Sequence, residues 1–285
     1  MSFVITPEVR KTTEIRYHSD TAPGLRHVLV GSTLDPRCRL YIVGRQVEAV
    51  PRDQPEWLDD HRHNCPTFYV LIGPNPDLTG LAAEIVIEGR PFVAESPSAI
   101  LLPTGYLHHH RLTAGGGWSL HVNVRPDYEE SLLDFASGTA PPMREVGLDR
   151  VYRRAELGGP EARLWETEDG ALAPDELGSA PPLWTFIDPA RFEDPGIRLH
   201  AVPLTPGGKA WSESTHRHTT DEVMIVLPHG ADARPGAVPV AVECTTPAGN
   251  MIARAPASVY APAETQHRCR HLEGTGLALK FLRLD

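Results

Sequence analysis

Short runs of apolar and β-branched residues, each closed by turn residues, recur along the whole chain. "RCRLYIV", "TFYVLI", "AEIVIEG", "AILLP" and "WSLHVNV" lie in the first half, and "EVMIVL", "PVAVEC", "SVYAP" and "LALKFLRL" in the second. Each run is too short for a packed helix and rich in residues that suit a pleated, half-buried surface, so each predicts a strand. Their close spacing predicts an all-β sandwich or small barrel. One segment breaks the pattern. "PDYEESLLDFASG" predicts a helix, with Asp127 and Glu130 as a capping box and Gly138 as its stop, placed to close the first barrel.

The pattern is written twice. "ESPSAILLPTGYLHHHRLTAGGG" (residues 95–117) aligns with "RAPASVYAPAETQHRCRHLEGTG" (residues 254–276) at a constant offset of 159. Pro97, Pro103, His108, Gly115 and Gly117 then fall on Pro256, Pro262, His267, Gly274 and Gly276. "HRHNCPTFYVLI" (61–72) aligns with "HRHTTDEVMIVL" (216–227) at an offset of 155, and "PGLRHVLV" from Pro23 resembles "PGIRLHAV" from Pro195. Blocks repeated in one order indicate an internal duplication. The expected organisation is a first barrel over residues 1–138, a connector over 139–180 and a second barrel over 181–285, the connector read as irregular or, in part, as edge strands that join the two halves. Before His61 the first copy carries extra residues, "DPRCRLYIVGRQVEAVPRDQPEWLDD", read as an added hairpin or lid or as a solvated loop elaboration.

Composition narrows the function classes. A net charge of −10 argues against a phosphate backbone as partner. No apolar run reaches membrane-spanning length, and the N-terminal residues lack a basic start followed by an apolar core. The expectation is therefore a cytoplasmic protein with neither nucleic acid nor membrane as partner. Four cysteines without a Cys-x-x-Cys pair, Cys38, Cys65, Cys244 and Cys269, predict reduced packing thiols.

The histidines carry the chemistry. In a strand, His216, His218 and Glu222 at i, i+2 and i+6 share one face, while Arg217 and Asp221 point away. His267 joins them from a later strand. Three imidazoles and a carboxylate converging in a barrel make a cation site suited to Fe(II), Mn(II), Ni(II), Zn(II) or Cu(II). The first copy keeps His61, His63 and His108 but has Thr67 in the glutamate's place, which leaves a three-histidine metal site or a degenerate one. Thr67, Tyr69 and Cys65 are its candidate substrate-facing groups, with Thr67 and Tyr69 in catalytic positions. Alternation puts His108 and His110 on one face and His109 on the other. His121, His200 and His229 are read as packing or surface groups, Glu213 and Asp221 as solvated, Trp57 and Tyr106 as core aromatics. Arg26 and Arg198, aligned by the third block, either brace the fold or hold a substrate anion.

"HRHTTDE" resembles the first motif of the cupin superfamily, and "PAETQH" resembles its second. The resemblance implies one antiparallel barrel (a double-stranded β-helix) per copy, hence a bicupin, with metal ligands at His216, His218, Glu222 and His267. The chain departs from the pattern at Glu264, where the family's turn glycine is common, and at Pro97 and Pro256, where its opening glycine usually stands. The expected function is a metal-dependent enzyme, foremost a non-heme Fe(II) oxygenase taking a small polar metabolite and O2. The alternatives are an Mn-, Ni- or Zn-dependent decarboxylase or isomerase, and a non-enzymatic small-molecule-binding bicupin. A homodimer is compatible with all three.

Overall fold

The computed structural model describes residues 3–11, 14, 16–17, 25–50, 60–133, 147–158, 183–205, 215–230 and 238–284. Residues 51–59 around Trp57, most of the connector, Gly138 and Glu213 lie outside the described residues. The extra residues before His61, read as an added hairpin or lid or as a solvated loop, are no addition: Tyr41–Val47 within them form a buried strand of the main sheet, and Ile197–Leu204 hold the same place in the second copy. The apolar runs form strands almost without exception. In chain order these are β1 (Val4–Ile5), β2 (Glu8–Arg10), β3 (Leu25–Val30), β4 (Tyr41–Val47), β5 (Thr67–Ile72), β6 (Leu81–Ile87), β7 (Arg90–Glu95), β8 (Ser98–Leu102), β9 (His108–Gly115) and β10 (Gly117–Asn123). They continue as β11 (Tyr152–Arg154), β12 (Glu156–Leu157), β13 (Trp184–Ile187), β14 (Ile197–Leu204), β15 (Glu222–Pro228), β16 (Ala241–Thr246), β17 (Gly249–Arg254), β18 (Ala257–Ala261), β19 (Arg268–Glu273) and β20 (Gly276–Arg283).

Two compact units result. One comprises Glu8–Arg154 with Ala190–Pro195, and the other comprises Met1–Pro7, Ala155–Pro189 and Gly196–Asp285. The first holds a seven-stranded sheet ordered β11-β8-β5-β10-β4-β3-β2 and a three-stranded sheet β7-β6-β9. The second repeats the layout strand for strand, as β1-β18-β15-β20-β14-β13-β12 and β17-β16-β19. All pairings are antiparallel.

This topology refines the duplication in two ways. Each unit draws an edge strand from the other repeat: β1 completes the second barrel by pairing with β18, and β11 completes the first by pairing with β8. The boundaries 1–138 and 181–285 do not capture this exchange, because edge strands of two or three residues leave almost no hydrophobic signature. The third sequence block is also out of register. β3 holds the place of β13, and β14 that of β4, so Arg198, which faces Leu282 across the sheet, corresponds to Tyr41 facing Asn123 and not to Arg26.

Inward-facing residues fill each barrel. Tyr69, Leu71, Ile85, Ile100 and Leu102 form the main core of the first unit, and Val202, Met224, Val226, Val242 and Val259 that of the second. The matched glycines have a physical cause. Gly115 and Gly274 take φ of +81° and +79°, and a Cβ there would overlap the Gly80 carbonyl or the Val240 backbone. Pro97 and Pro256 both follow cis peptide bonds. All four cysteines are buried and unlinked.

The predicted helix shrinks to one turn, Tyr128–Ser131 (α1), capped by Asp127 accepting from the Glu130 amide. A second single-turn helix, α2, spans Leu148–Val151. After α1 the chain turns extended, because residues 131–133 pair with 62–64: the Asn64 amide donates to the Ser131 carbonyl and the Leu133 amide to the Arg62 carbonyl. Backbone pairing with the histidine segment thus overrides helix propensity and sets Ser131 beside His63.

Candidate metal centres

The two histidine clusters are built the same way. His61 and His108 exchange both backbone hydrogen bonds in an isolated bridge, and so do His216 and His267. The Gly105 amide donates to the His63 carbonyl at 2.8 Å and the Glu264 amide to the His218 carbonyl at 2.7 Å, so each second-motif turn is tied to the first motif. Glu264 keeps the turn by taking the left-handed conformation of its counterpart, φ +62° against +79° at Gly105. Asp221, read from sequence as solvated, is half-buried. It accepts from the Ala263 amide and the Tyr260 hydroxyl, bracing the turn.

Side-chain geometry follows the backbone. Ring centroids of His61, His63 and His108 stand 5.0, 4.4 and 5.4 Å apart, and those of His216, His218 and His267 stand 4.9, 4.5 and 5.6 Å apart, in the same pairwise order. Within each of the two groups the ligand atoms lie within 4.8 Å of one another, with Glu222 included in the second. All seven side chains are buried. The convergence does not need the uninterrupted strand that alternation suggested. The backbone bends at residues 219–220, and β15 starts only at Glu222.

Hydrogen bonds fix the imidazole tautomers. Nδ1 of His108 donates to the Tyr106 carbonyl at 2.9 Å, and Nδ1 of His267 to the Thr265 carbonyl at 2.8 Å. Nδ1 of His63 meets Ser131 Oγ at 2.8 Å, while that hydroxyl donates its own proton to the Tyr128 carbonyl and accepts from Asn123 Nδ2. With its single proton committed, Ser131 can only accept from His63. Each of these rings is left with Nε2 as a lone pair. Nε2 of His63 and of His108 is buried without a hydrogen-bond partner. Burial first, and neighbouring imidazoles second, hold His63 and His108 well below the usual histidine range, so both are neutral. Buried, neutral, convergent Nε2 atoms with ordered Nδ1 contacts match the donor set of a divalent transition metal.

The second centre differs in charge. Burial would raise the Glu222 carboxyl, but Lys280, His267 and His218 together hold it well below the usual carboxylate range. Lys280 Nζ sits 3.4 Å from Glu222 Oε2. His218 Nε2 approaches Glu222 Oε2 to 2.9 Å without hydrogen-bond alignment, as two ligand atoms facing one cation would. His267 shifts upward: burial works against it and the Glu222 carboxylate more than compensates.

Around the first centre the structure revises several sequence expectations. Thr67 is buried, but its hydroxyl donates to Asn123 Oδ1 at 3.1 Å and turns to the strand beside it. Tyr69 reaches the cluster, its ring 5.9 Å from His108, with a buried hydroxyl that has no hydrogen-bond partner. Cys65 is buried outside the ligand group. His109 pairs with Asp60 on the outer face, whereas His110 packs 4.0 Å from the Tyr69 ring and is not solvated. His121, read as a packing or surface group, lies 5.3 Å from His63 and 5.1 Å from Tyr69, and its Nε2 is buried without a hydrogen-bond partner. Alternation along "WSLHVNV" puts His121 on the face of Ser119 and Asn123, a signal overlooked because its counterpart in the second copy is Lys280. Tyr17, also unremarked in the sequence, stacks on His61 at 5.8 Å.

No protein-family model and no curated protein matches the sequence. Solved structures do match the fold. AerE from Microcystis aeruginosa superposes at TM-score 0.59 with 9% identity over 99% of each chain. Oxalate decarboxylase from Bacillus subtilis superposes at TM-score 0.58 with 16% identity over 100% of this chain and 77% of its own. A second structure of that enzyme, described by its Mn(II) centres, gives TM-score 0.58 at 15% identity. The strand-for-strand repeat, the matched histidine bridges and these superpositions agree that the chain has the two-barrel cupin fold, that of a bicupin.

Proposed function

We propose that this bicupin is a metal-dependent enzyme whose reaction takes place at His61, His63 and His108, with a small polar metabolite as substrate. The observation that carries this reading is the set of unengaged protic groups beside the first centre. Among the described residues, Tyr69 Oη and His121 Nε2 are both buried there without a hydrogen-bond partner. In the second barrel Met224 and Lys280 stand at the same places, and Lys280 is committed to Glu222.

When bound, a divalent metal supplies Lewis-acid polarisation of a substrate oxygen. His63 is oriented by Ser131, His108 by the Tyr106 carbonyl, and the apolar wall of Ile85, Ile100 and Leu102 excludes water. Tyr69 holds a proton firmly, since burial pushes its phenol up and Arg26 only partly offsets this. His121 is held neutral, by burial first and then by His61, and so presents an uncharged imidazole beside the centre. An uncharged imidazole and a protonated phenol flanking one centre suit proton transfer during decarboxylation or isomerisation. The Mn(II) centres of oxalate decarboxylase, in the same fold, support this class.

A second reading, the Fe(II) oxygenase expected from the sequence, is favoured by the all-imidazole ligand set. Three protein ligands leave room for a chelating substrate and dioxygen together. The test is turnover of a panel of small metabolites by protein reconstituted anaerobically with Mn(II), Ni(II), Zn(II) or Fe(II), with and without oxygen. Oxygen-independent turnover is expected. A strict oxygen requirement with Fe(II) would move the assignment to the oxygenase, and tight binding without turnover under any metal would make the protein a binding module.

A further inference from the structure

The interior of the first barrel carries a cationic pair that the metal ligands do not explain. Arg26 on β3 and Arg45 on β4 face each other as register partners and are 6% and 7% exposed. Their strands turn alternate residues inward: Val28, Tyr41 and Val43 form a core cluster with Tyr128, and Val47 packs in the cluster that holds Tyr69. Arg26 and Arg45 share that alternation and therefore project into the barrel. Among the described residues, Nε and Nη1 of Arg26 are buried without a hydrogen-bond partner, and burial pushes the guanidinium down while Tyr41, Tyr128 and Tyr69 partly offset this. Burial, with Arg26 beside it, pushes Arg45 down to about 9.

The pair and the metal ligands have the same neighbours. The Arg26 charge acts on His110, His121, Tyr69 and Tyr128. His121 and Tyr128 lie 5.3 and 5.4 Å from His63. The second barrel provides an internal contrast. Leu183 and Val202 stand where Arg26 and Arg45 stand, and both pack in its apolar core. A guanidinium with no anion among the described residues, in a place its own duplicate fills with leucine, costs stability unless something else neutralises it.

We propose that Arg26 anchors the carboxylate of a small 2-oxo or 2-hydroxy acid whose second oxygen donor reaches the three-histidine centre. The guanidinium fork matches a carboxylate in two parallel hydrogen bonds, and the dry interior strengthens them. Three neutral imidazoles around a divalent cation add further positive charge, so an anionic chelator is the complement of this interior. A second donor group is required because one carboxylate cannot serve Arg26 and the metal centre equally well. The assignment rests on the reading of this barrel as the catalytic one.

The test is thermal melting of the full chain, metal-loaded and metal-stripped, with pyruvate, lactate or inorganic phosphate, for wild type, Arg26→Leu and Arg26→Lys. Without added acid, Arg26→Leu is expected to melt at or above wild type, since it removes an uncompensated buried charge. Pyruvate and lactate at about a hundred times Kd should raise the wild-type midpoint by on the order of 5 °C, with most of that shift lost in both variants. Failure of Arg26→Leu to fold, or a melt well below wild type, would show a structural brace and overturn the proposal. Equal shifts in wild type and variants, an equal shift with phosphate, or no shift with either acid would also overturn it. Metal content of the same samples separates the two readings. A wild type that takes up no metal sinks the metal-enzyme assignment, while the acid-induced shift of the stripped protein still reports on Arg26.

Discussion

Thr67 and Glu222 occupy the same place in their respective barrels, each opening the strand that follows the first two histidines, yet they face different ways. Glu222 lies 2.9 Å from His218 and belongs to the ligand group. Thr67 donates to Asn123 Oδ1, and Asn123 in turn donates to Ser131, the hydroxyl that holds His63. Where the second barrel offers a carboxylate to its candidate ligand group, the first offers a neutral network that orients His63. Asn123 corresponds to Leu282, which has no such part to play.

Ser131→Ala should therefore weaken metal binding at the first centre by roughly 10- to 100-fold, because the His63 Nδ1 proton loses its acceptor. Competition with a chelator of known affinity measures this. Binding at the second centre should be unchanged, since the Ser131 hydroxyl serves His63 in the first unit.

Glu264 sits at φ +62°, a conformation that costs a side-chain-bearing residue about 1–2 kcal/mol, whereas glycine adopts it freely. Part of that relief is returned as extra freedom in the unfolded chain. The exposed Arg217–Glu264 contact at 3.6 Å contributes little. Glu264→Gly is therefore expected to stabilise the protein by about 0.5–1 kcal/mol, read as a higher denaturant midpoint at unchanged slope. A loss of stability would show that the side chain does more than tolerate the turn.

The pH dependence of the metal-free protein follows from its buried imidazoles. His63, His108, His110 and His121 all fall below the ordinary value of 6.5, chiefly through burial. The unfolded chain then binds more protons than the native one below that pH, so stability falls as pH falls through and beneath 6.5. Each group that is protonated only on unfolding adds about 1.4 kcal/mol per pH unit to the slope. His267 acts oppositely: its raised value gives stability that is full below 6.5 and lost as pH rises through its folded value. Glu222 contributes above its ordinary value of 4.5 and loses that contribution on further acidification. Urea titrations of the metal-free protein from pH 8 to 5 should show a net loss toward acid, and a flat profile would contradict the neutral-histidine assignment.

Much of this was legible from residue order, and the failures have physical causes. The strands followed from period-two alternation, and the duplication and the membership of both histidine clusters from spacing, although a bend at residues 219–220 replaces the single strand face that alternation implied. The helix was overestimated because Leu132 and Leu133 answer to backbone pairing with residues 62–64, a long-range contact that local pattern does not carry. Edge strands in the connector were one sequence reading, but which barrel β1 and β11 would join was invisible for the same reason. His121 was misjudged because a lone histidine in an apolar strand looks like packing until the register puts it opposite Tyr69. The misaligned third block paired Arg26 with Arg198 and so suggested a feature common to both barrels, whereas register sets Arg26 opposite Arg45 and in the place of Leu183.

The account stands most directly on two separate metal centres in one chain, and elemental analysis of metal-replete wild type, His63→Ala and His218→Ala tests it. The expected result is two metal ions per wild-type chain and one in each variant, since the two ligand groups, His61 with His63 and His108, and His216 with His218, Glu222 and His267, share no residue. The same metal content in all three proteins would contradict it.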